Sequence, residues 1–232
     1  MLAIIPARGG SKGIVNKNIR ILSGKPLIEW SIEQALACPL ITRVVVTTDS
    51  PSIAKIALDA GAEVPVLRPD YLSTDTASTE SALLHVLGQM CPSGTPDSFV
   101  LLQPTSPLRL PRSLEAAILQ FESQGADSLL SVCESHAFFW RNTDNPSALY
   151  DYKNRPRRQD ISPADRWYRE NGSIYISRTK EFLACGNRLS GKIAMYVMQE
   201  QESYEIDTET DFVLMQVLFS QLHMPGFQER LK

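Results

Sequence analysis

Residues 5–18 read IPARGGSKGIVNKN. An apolar strand, Leu2 to Ile5, breaks there into a loop carrying Gly9, Gly10 and Gly13 and the cations Arg8, Lys12 and Lys17. Glycines let backbone amides approach a ligand closely and point the same way. Fixed cations beside such amides make an anion site, and the loop after the first strand of an α/β chain is where phosphates are commonly held. The loop is not a Walker A sequence, because no Gly-Lys-Ser/Thr follows a four-residue gap. It is not a dinucleotide fingerprint either, because its first two glycines are adjacent. A basic surface turn is the plain alternative, but cations and glycines this dense seldom serve a turn alone.

The chain after this loop alternates strand and helix. Pro26 suits a first helical turn, and Ile28, Ile32, Ala35 and Leu36 recur at helical spacing. Arg43 to Thr48 is a β-branched run that reads as a strand, and Asp49-Ser50-Pro51-Ser52 caps a helix ended by Gly61. Glu63 to Leu67 reads as a short third strand whose Pro65 suggests an edge. The hydroxyl-rich run from Ser73 to Thr79 precedes another helix. It reads as an N-cap that also has hydroxyls to offer a nucleotide. Phe99–Leu102 and Asp127–Val132 read as strands on either side of a helix marked by Leu114, Ile118 and Phe121. The order βαβαβαβαβ predicts an α/β fold, a mostly parallel sheet flanked by helices, with the site at the carboxyl ends of the strands.

From 133 to 165 that rhythm fails. The segment is aromatic and basic, with Phe138, Phe139, Trp140, Tyr150 and Tyr152 followed by the run RPRRQD. We read it as an insertion that leaves the main sheet, a dimerisation and substrate arm within one domain spanning 1–232. After it, Asn171-Gly172 leads into a strand at Ser173–Ser177. A helix at Lys180–Cys185, a strand at Lys192–Met198 and a last helix marked by Phe212, Met215 and Phe219 complete the chain.

Composition narrows the function. The chain has 232 residues, is 43% hydrophobic and carries a net charge of -3, a balance that suits a small anionic ligand better than a nucleic acid. The four cysteines (Cys38, Cys91, Cys133, Cys185) include no CxxC pair, which argues against zinc and against a disulfide scaffold. That usage fits a reducing cytoplasm. The first apolar run is too short for a signal peptide, and no stretch approaches the ~20 apolar residues that span a membrane. The histidines (His85, His136, His223) are isolated, so no Ser-His-Asp pattern supports nucleophilic hydrolysis.

Two charged clusters can join the glycine loop at the sheet edge. Glu205 and Asp207 alternate, so in an extended segment they project to one side, with Asp211 following. Oxygen ligands on one face suit Mg²⁺, which is usually held by one or two carboxylates plus substrate phosphates. The competing reading has Asp207 capping the last helix and the other acids solvated. Arg155, Arg157 and Arg158 can pair bidentately with carboxylate or phosphate, or form a solvated basic arm.

Seven stretches occur in series: IPARGGSKGIVNKN, VVVTTDS, Arg68-Pro69 with STDTAST, LLQPTSPLR, RPRRQD, YRENGSIYI and EIDTETDF. Together they resemble the acylneuraminate cytidylyltransferases over nearly the whole chain. The resemblance implies a Rossmann-like nucleotidyltransferase fold, CTP and a nonulosonic acid sugar (N-acetylneuraminate) as substrates, CMP-sugar and pyrophosphate as products, and Mg²⁺ or Mn²⁺ as cofactor. It also implies a homodimer whose arm reaches the neighbouring site. It assigns Arg8, Ser11, Lys12, Asn18, Arg68, Ala77 and Thr79 to the nucleotide. Gln103, Arg157, Arg158, Gln159 and Tyr175 go to the sugar, and Glu205 and Asp207 to the metal. Catalysis falls to Arg8, Lys17, Arg157, Arg158 and Asp207. The family often carries Asp where this chain has Glu205, and the stretch between Ser135 and Arg155 matches it poorly. The rival expectations are legionaminate, pseudaminate or Kdo (3-deoxy-manno-octulosonate) as the sugar, GTP as the nucleotide, and a non-catalytic nucleotide-sugar-binding paralogue.

Overall fold

A computed structural model describes residues 1–11, 13–90, 94 and 96–222. Lys12, Cys91 and His223 lie outside the described residues. The chain opens with β1 (Leu2–Pro6), then the glycine loop and one 3₁₀ turn at Lys17–Ile19. A small hairpin of β2 (Ile21–Leu22) and β3 (Lys25–Pro26) runs directly into α1 (Leu27–Leu36). Next come β4 (Arg43–Thr47), α2 (Pro51–Asp59), α3 (Thr79–Met90), β5 (Ser98–Leu102), α4 (Ser113–Ser123) and β6 (Ser128–Ser135). The arm carries a two-residue hairpin, β7 (Trp140–Arg141) and β8 (Ser147–Ala148). The chain closes with β9 (Trp167–Arg178), α5 (Thr179–Cys185), β10 (Ile193–Met198) and α6 (Glu209–Leu222).

Six strands form one sheet in the order β10-β6-β9-β5-β1-β4. β1 pairs parallel with β4 and β5, and β10 pairs parallel with β6. β9 alone is antiparallel, to both β5 and β6. Alternate residues of each central strand enter different cores. Ala3, Ile5, Val100 and Leu102 face α1, α2 and α4, whereas Leu2, Ile4, Phe99 and Leu101 face α3 and α5. Burial on both faces is why these strands read as unbroken apolar runs. A third cluster packs Phe212, Met215 and Phe219 of α6 against Leu22, Leu27 and Ile14, beside the glycine loop.

The structure corrects the sequence reading at several points. Glu63–Leu67 is not a strand. Only Glu63 bridges to Val45, because Pro65 has no N–H to give the ladder, and the chain next meets the segment just past β4, where the Arg68 amide donates to the Thr48 carbonyl (2.7 Å). The arm does not begin at Cys133. β6 runs on to Ser135, paired with Trp167, so the insertion stands on a two-stranded stem. Asn171-Gly172 is no strand boundary either. It lies inside β9, where the register with β6 shifts between Leu130 and Val132. This irregularity is a bulge, a device that bends a strand and re-aims its side chains.

Candidate active site

The carboxyl ends of β1 and β5 open into a cavity of about 410 Å³. Arg8, Ser11, Lys17, Asn18, Arg68, Ala77, Thr79, Gln103 and Asp207 all line it. The open end of a mostly parallel sheet is the usual ligand position in such folds. The glycine loop is tied down from several sides. The Gly9 amide donates to the Asp49 carboxylate (2.9 Å), and the buried Asn18 side chain donates to the Arg8 carbonyl (3.0 Å). Arg8 crosses to the hydroxyl-rich run and donates to the Thr74 carbonyl (3.1 Å) and Asp75 (2.8 Å). Gly13 packs so closely on the segment from 205 to 208 that a Cβ there would stand 2.1 Å from the Asp207 carbonyl oxygen.

That segment is extended, as the alternation predicts. Ile206 points into the third core cluster and its amide donates to the Thr105 carbonyl (2.8 Å), which turns Glu205 and Asp207 the other way. The Lys17 ammonium donates to the Ile206 carbonyl (2.8 Å) and to Asp207 (3.2 Å). Asp207 does not cap α6. Asp211 and Thr208 do so in a reciprocal capping box: Asp211 accepts from the Thr208 amide (2.8 Å), and Thr208 Oγ1 accepts from the Asp211 amide (3.2 Å). These bonds hold the Asp211 carboxyl below its usual range and leave Asp207 facing the cavity. Burial, and then the neighbouring Asp207, push the half-buried Glu205 carboxyl up.

Arg68 is buried, and its Nε and Nη2 have no hydrogen-bond partner; the nearest carboxylate oxygen, on Asp49, is 3.9 Å from Nη2. Burial, and to a lesser degree Arg8, pull its guanidinium below the usual value, against the opposing pull of Asp49. Buried charged donors without partners are costly, and such a group calls for an explanation.

Beneath the site, Arg109 from the LLQPTSPLR stretch is fully buried. It donates to the backbone carbonyls of Gln103 (3.0 Å) and Ser173 (2.8 Å) and to the side chains of Ser31 (3.1 Å) and Gln34 (2.9 Å). Burial lowers its guanidinium to about 9, partly offset by Glu202, so it stays charged at neutral pH. The β9 bulge is fixed from the other side. The Asn171 amide oxygen accepts from Ser131 Oγ (2.6 Å), and its nitrogen donates to Ser203 Oγ (3.0 Å). Gly172 has φ +62°, and a Cβ there would lie 2.7 Å from both Gln103 Oε1 and Glu205 Oε1. A side chain at 172 would separate these two groups.

Other assigned residues fall elsewhere. Tyr175 does not line the cavity. Its ring packs in the core with Leu101 and Phe182, and its hydroxyl donates to Glu170. Burial, then that hydrogen bond, push the phenol well up. Arg157, Arg158 and Gln159 lie on the exposed arm and are not among the residues that line the cavity, and Arg157 pairs with Asp160 (2.7 Å). The sequence reading missed Asp49, Asp75, Arg109 and Glu170. All four lie inside the quoted stretches, but their roles depend on partners elsewhere in the chain: Asp49 meets Gly9 40 positions away, Asp75 meets Arg8 at 67, Arg109 meets Ser173 at 64, and Glu170 meets Tyr175 across a bulge.

A family model described as cytidylyltransferase matches residues 2–230. Curated relatives include an N-acylneuraminate cytidylyltransferase of Escherichia coli, 34% identical over 92% of this chain and 51% of its own length. Another is the Danio rerio N-acylneuraminate cytidylyltransferase A, 36% identical over 90% and 48%. A third, the CMP-N,N'-diacetyllegionaminic acid synthase of Legionella pneumophila, is 35% identical over 94% of this chain and 95% of its own. The chain therefore spans about half the length of the first two and nearly all of the third. Among solved structures, a CMP:2-keto-3-deoxy-manno-octonic acid synthetase complexed with CTP superposes with a TM-score of 0.71 at 20% identity, over 95% of this chain and 98% of that one. A 4-diphosphocytidyl-2C-methyl-D-erythritol synthase gives 0.67 at 9%, over 94% and 98%. Those two share its fold. The chain belongs to the cytidylyltransferase family.

Proposed function

We propose that the protein transfers CMP from CTP to N-acetylneuraminate, releasing pyrophosphate. The observation that carries this is the cavity at the sheet edge, where Arg8, Lys17 and Arg68, two of whose nitrogens have no hydrogen-bond partner, meet Asp207, with Glu205 two residues before it on the same extended segment. Cations fixed around a glycine loop suit a triphosphate, and the relatives of similar sequence are named for this reaction.

In this reading the anomeric hydroxyl attacks the α-phosphorus in line, and the bond to pyrophosphate breaks. Arg8 and Lys17 stabilise the charge that grows on the leaving group. The loop amides and Ser11, with Lys12, cradle the phosphates; Asn18, Arg68, Ala77 and Thr79 hold the nucleoside. Gln103 and Tyr175 stand on the sugar side. Glu205 and Asp207, oxygen ligands of like charge two residues apart on an extended segment, would hold Mg²⁺ or Mn²⁺, with Asp207 lining the cavity. When bound there, the ion neutralises phosphate charge and acidifies the attacking hydroxyl.

The arm is part of the same reading. Its arginines do not line their own chain's cavity and its aromatic rings are exposed, which supports a homodimer in which Arg157, Arg158 and Gln159 serve the neighbouring site. A cytoplasmic location goes with it, in accord with the free Cys38, Cys133 and Cys185. Among the described residues no helix is long and apolar enough to cross a membrane.

A second sugar, legionaminate, is favoured by one observation: the relative matched over nearly its full length is a CMP-N,N'-diacetyllegionaminic acid synthase. The test is pyrophosphate release with Mg²⁺ and CTP or GTP against N-acetylneuraminate, legionaminate, pseudaminate and Kdo. Release with CTP and N-acetylneuraminate is expected. Release only with legionaminate moves the substrate, GTP dependence moves the nucleotide, and silence across the panel overturns the reading.

A further inference from the structure

We propose that Glu170 is a specificity-determining residue for the sugar, acting with the Tyr175 hydroxyl as a pair of hydrogen-bond acceptors that receives the polyhydroxylated, amide-bearing end of the substrate. The proposal rests on the reading above. Glu170 stands on the stem of the arm, where β9 pairs with β6 opposite Val132, immediately before the bulge at Asn171-Gly172. Its residue is exposed, yet one carboxylate oxygen accepts a hydrogen bond from the mostly buried Tyr175 hydroxyl. The other oxygen has no hydrogen bond among the described residues.

The bulge is what makes this pairing possible. Glu170 and Tyr175 are five residues apart, so in a regular strand they would face opposite sides of the sheet. From Glu170 to Tyr175 β9 advances five residues while its partner β6 moves only from Val132 to Leu130, so three extra residues bulge out and both side chains return to one face; the same bulge brings Gln103 and Glu205 to within contact distance of Gly172. Glu170 is the weakest of the charges acting on Glu205, after Asp207, Arg169 and Lys17, and neither Glu170 nor Tyr175 lines the cavity with Arg8 and Arg68, so the pair stands at the outer margin of the carboxylates. The Tyr175 ring is held from behind by Arg188, 4.8 Å from its centroid, which is itself fixed by Glu80 (2.6 Å) in the first turn of α3.

The chemistry of this corner follows. With its O–H already donated in a hydrogen bond to Glu170, the Tyr175 oxygen can only accept from a ligand. An ionised carboxylate also only accepts. A sugar acid is therefore turned so that its own carboxylate points away from Glu170, and its hydroxyl or acetamido N–H donors point toward it. Sites built to hydrogen-bond a substrate group discriminate strongly, because their acceptors are left unpaired by the wrong ligand.

The test uses the full chain with CTP, Mg²⁺ and the sugar that the parental protein turns over, and compares Glu170→Ala, Glu170→Gln, Tyr175→Phe and Glu170→Ala/Tyr175→Phe. Glu170→Ala should raise KM for the sugar about tenfold or more, the loss expected when a hydrogen bond to a charged group goes, with KM for CTP within about twofold. Glu170→Gln, whose amide oxygen still accepts, should recover most of that loss. The double variant should cost little more than the larger single one, because the two groups act as a unit. An unchanged sugar KM in Glu170→Ala, a parallel rise in both KM values, or additive losses would overturn the proposal. A parental protein silent with every sugar would overturn it together with the proposed function, and so differs from a variant effect that fails to appear in an active enzyme.

Discussion

The cradle around the glycine loop and the arm between β6 and β9 treat their charges differently. In the cradle most polar groups are met by the same chain: Arg8 by Asp75, Lys17 by Asp207, the Gly9 amide by Asp49. Arg68, with two unpartnered nitrogens, is the exception, and it faces the cavity. In the arm, Phe138 stacks on Tyr150 (4.4 Å between centroids) and Trp140 on Tyr152 (5.5 Å), but the outer faces of Trp140 and Tyr152 stay in water. Arg158 has no ion pair among the described residues. The cradle is organised by folding alone. The arm leaves Trp140, Tyr152 and Arg158 exposed. On the reading proposed here, each cavity takes its cradle from one chain and its arm from another.

The largest expected effect separates the two regions. Asp207→Asn should lower kcat by about a hundredfold or more, the usual loss when transition-state charge stabilisation is removed, with thermal stability unchanged. Arg157→Ala should be similarly inactive. If cradle and arm of different chains meet, mixing the two inactive variants under conditions of subunit exchange should restore about a quarter of the parental rate, because half the dimers are mixed and each has one intact site. Recovery that never exceeds the sum of the separate variants would dissolve the comparison.

A smaller effect probes the cradle's internal fit. Gly13→Ala would put a methyl into the Asp207 carbonyl and should cost about 1–3 kcal/mol in urea unfolding, as overpacking typically does. It should also raise KM for CTP, as the loop shifts. A variant with parental stability and parental KM would mean that the loop is not packed as described.

The smallest lies far from both regions. Arg43 pairs with Glu63 (2.7 Å), and the hydrogen bond from Arg43 holds the Glu63 carboxyl below 4.5. Because the folded value is the lower one, the pair stabilises above the unfolded value and loses that contribution as the pH falls through the folded one. Both side chains are about half exposed, so Glu63→Gln should cost only about 0.5 kcal/mol at pH 7. The difference from the parent should fade below pH 4.5. A penalty that persists at pH 3 would assign the loss to something other than charge.

Much of the cradle was legible because its signals are local. Glycines and cations crowd one loop, and Glu205, Ile206 and Asp207 alternate within three residues. The helix caps were also local: Ser50 accepts from the Ile53 amide as the Ser-Pro start implied. What could not be read depends on distant pairing. Asp75 meets Arg8 from 67 residues away, and Arg109 meets Ser173 from 64. The bulge in β9 was hidden because Asn-Gly reads locally as a turn, while here a ladder on both sides holds it inside a strand. The strand expected at Glu63 failed because β-branched residues raised the expectation while Pro65 removed the donor the ladder needs.

The buried Asn171 also bears on how the protein ages. An Asn followed by Gly is the pair most prone to lose its amide nitrogen, because an unhindered glycine nitrogen can swing round and close a ring on the side-chain carbonyl. Here the side chain is held by Ser131, Ser203 and Met198 and is 1% exposed, and the neighbouring glycine is locked at φ +62°. Ring closure has to wait until this knot opens. Deamidation at 171 therefore measures how often the floor of the site comes apart. Each event leaves behind a carboxylate where only neutral partners are in place, and the damaged copy cannot close again as it was.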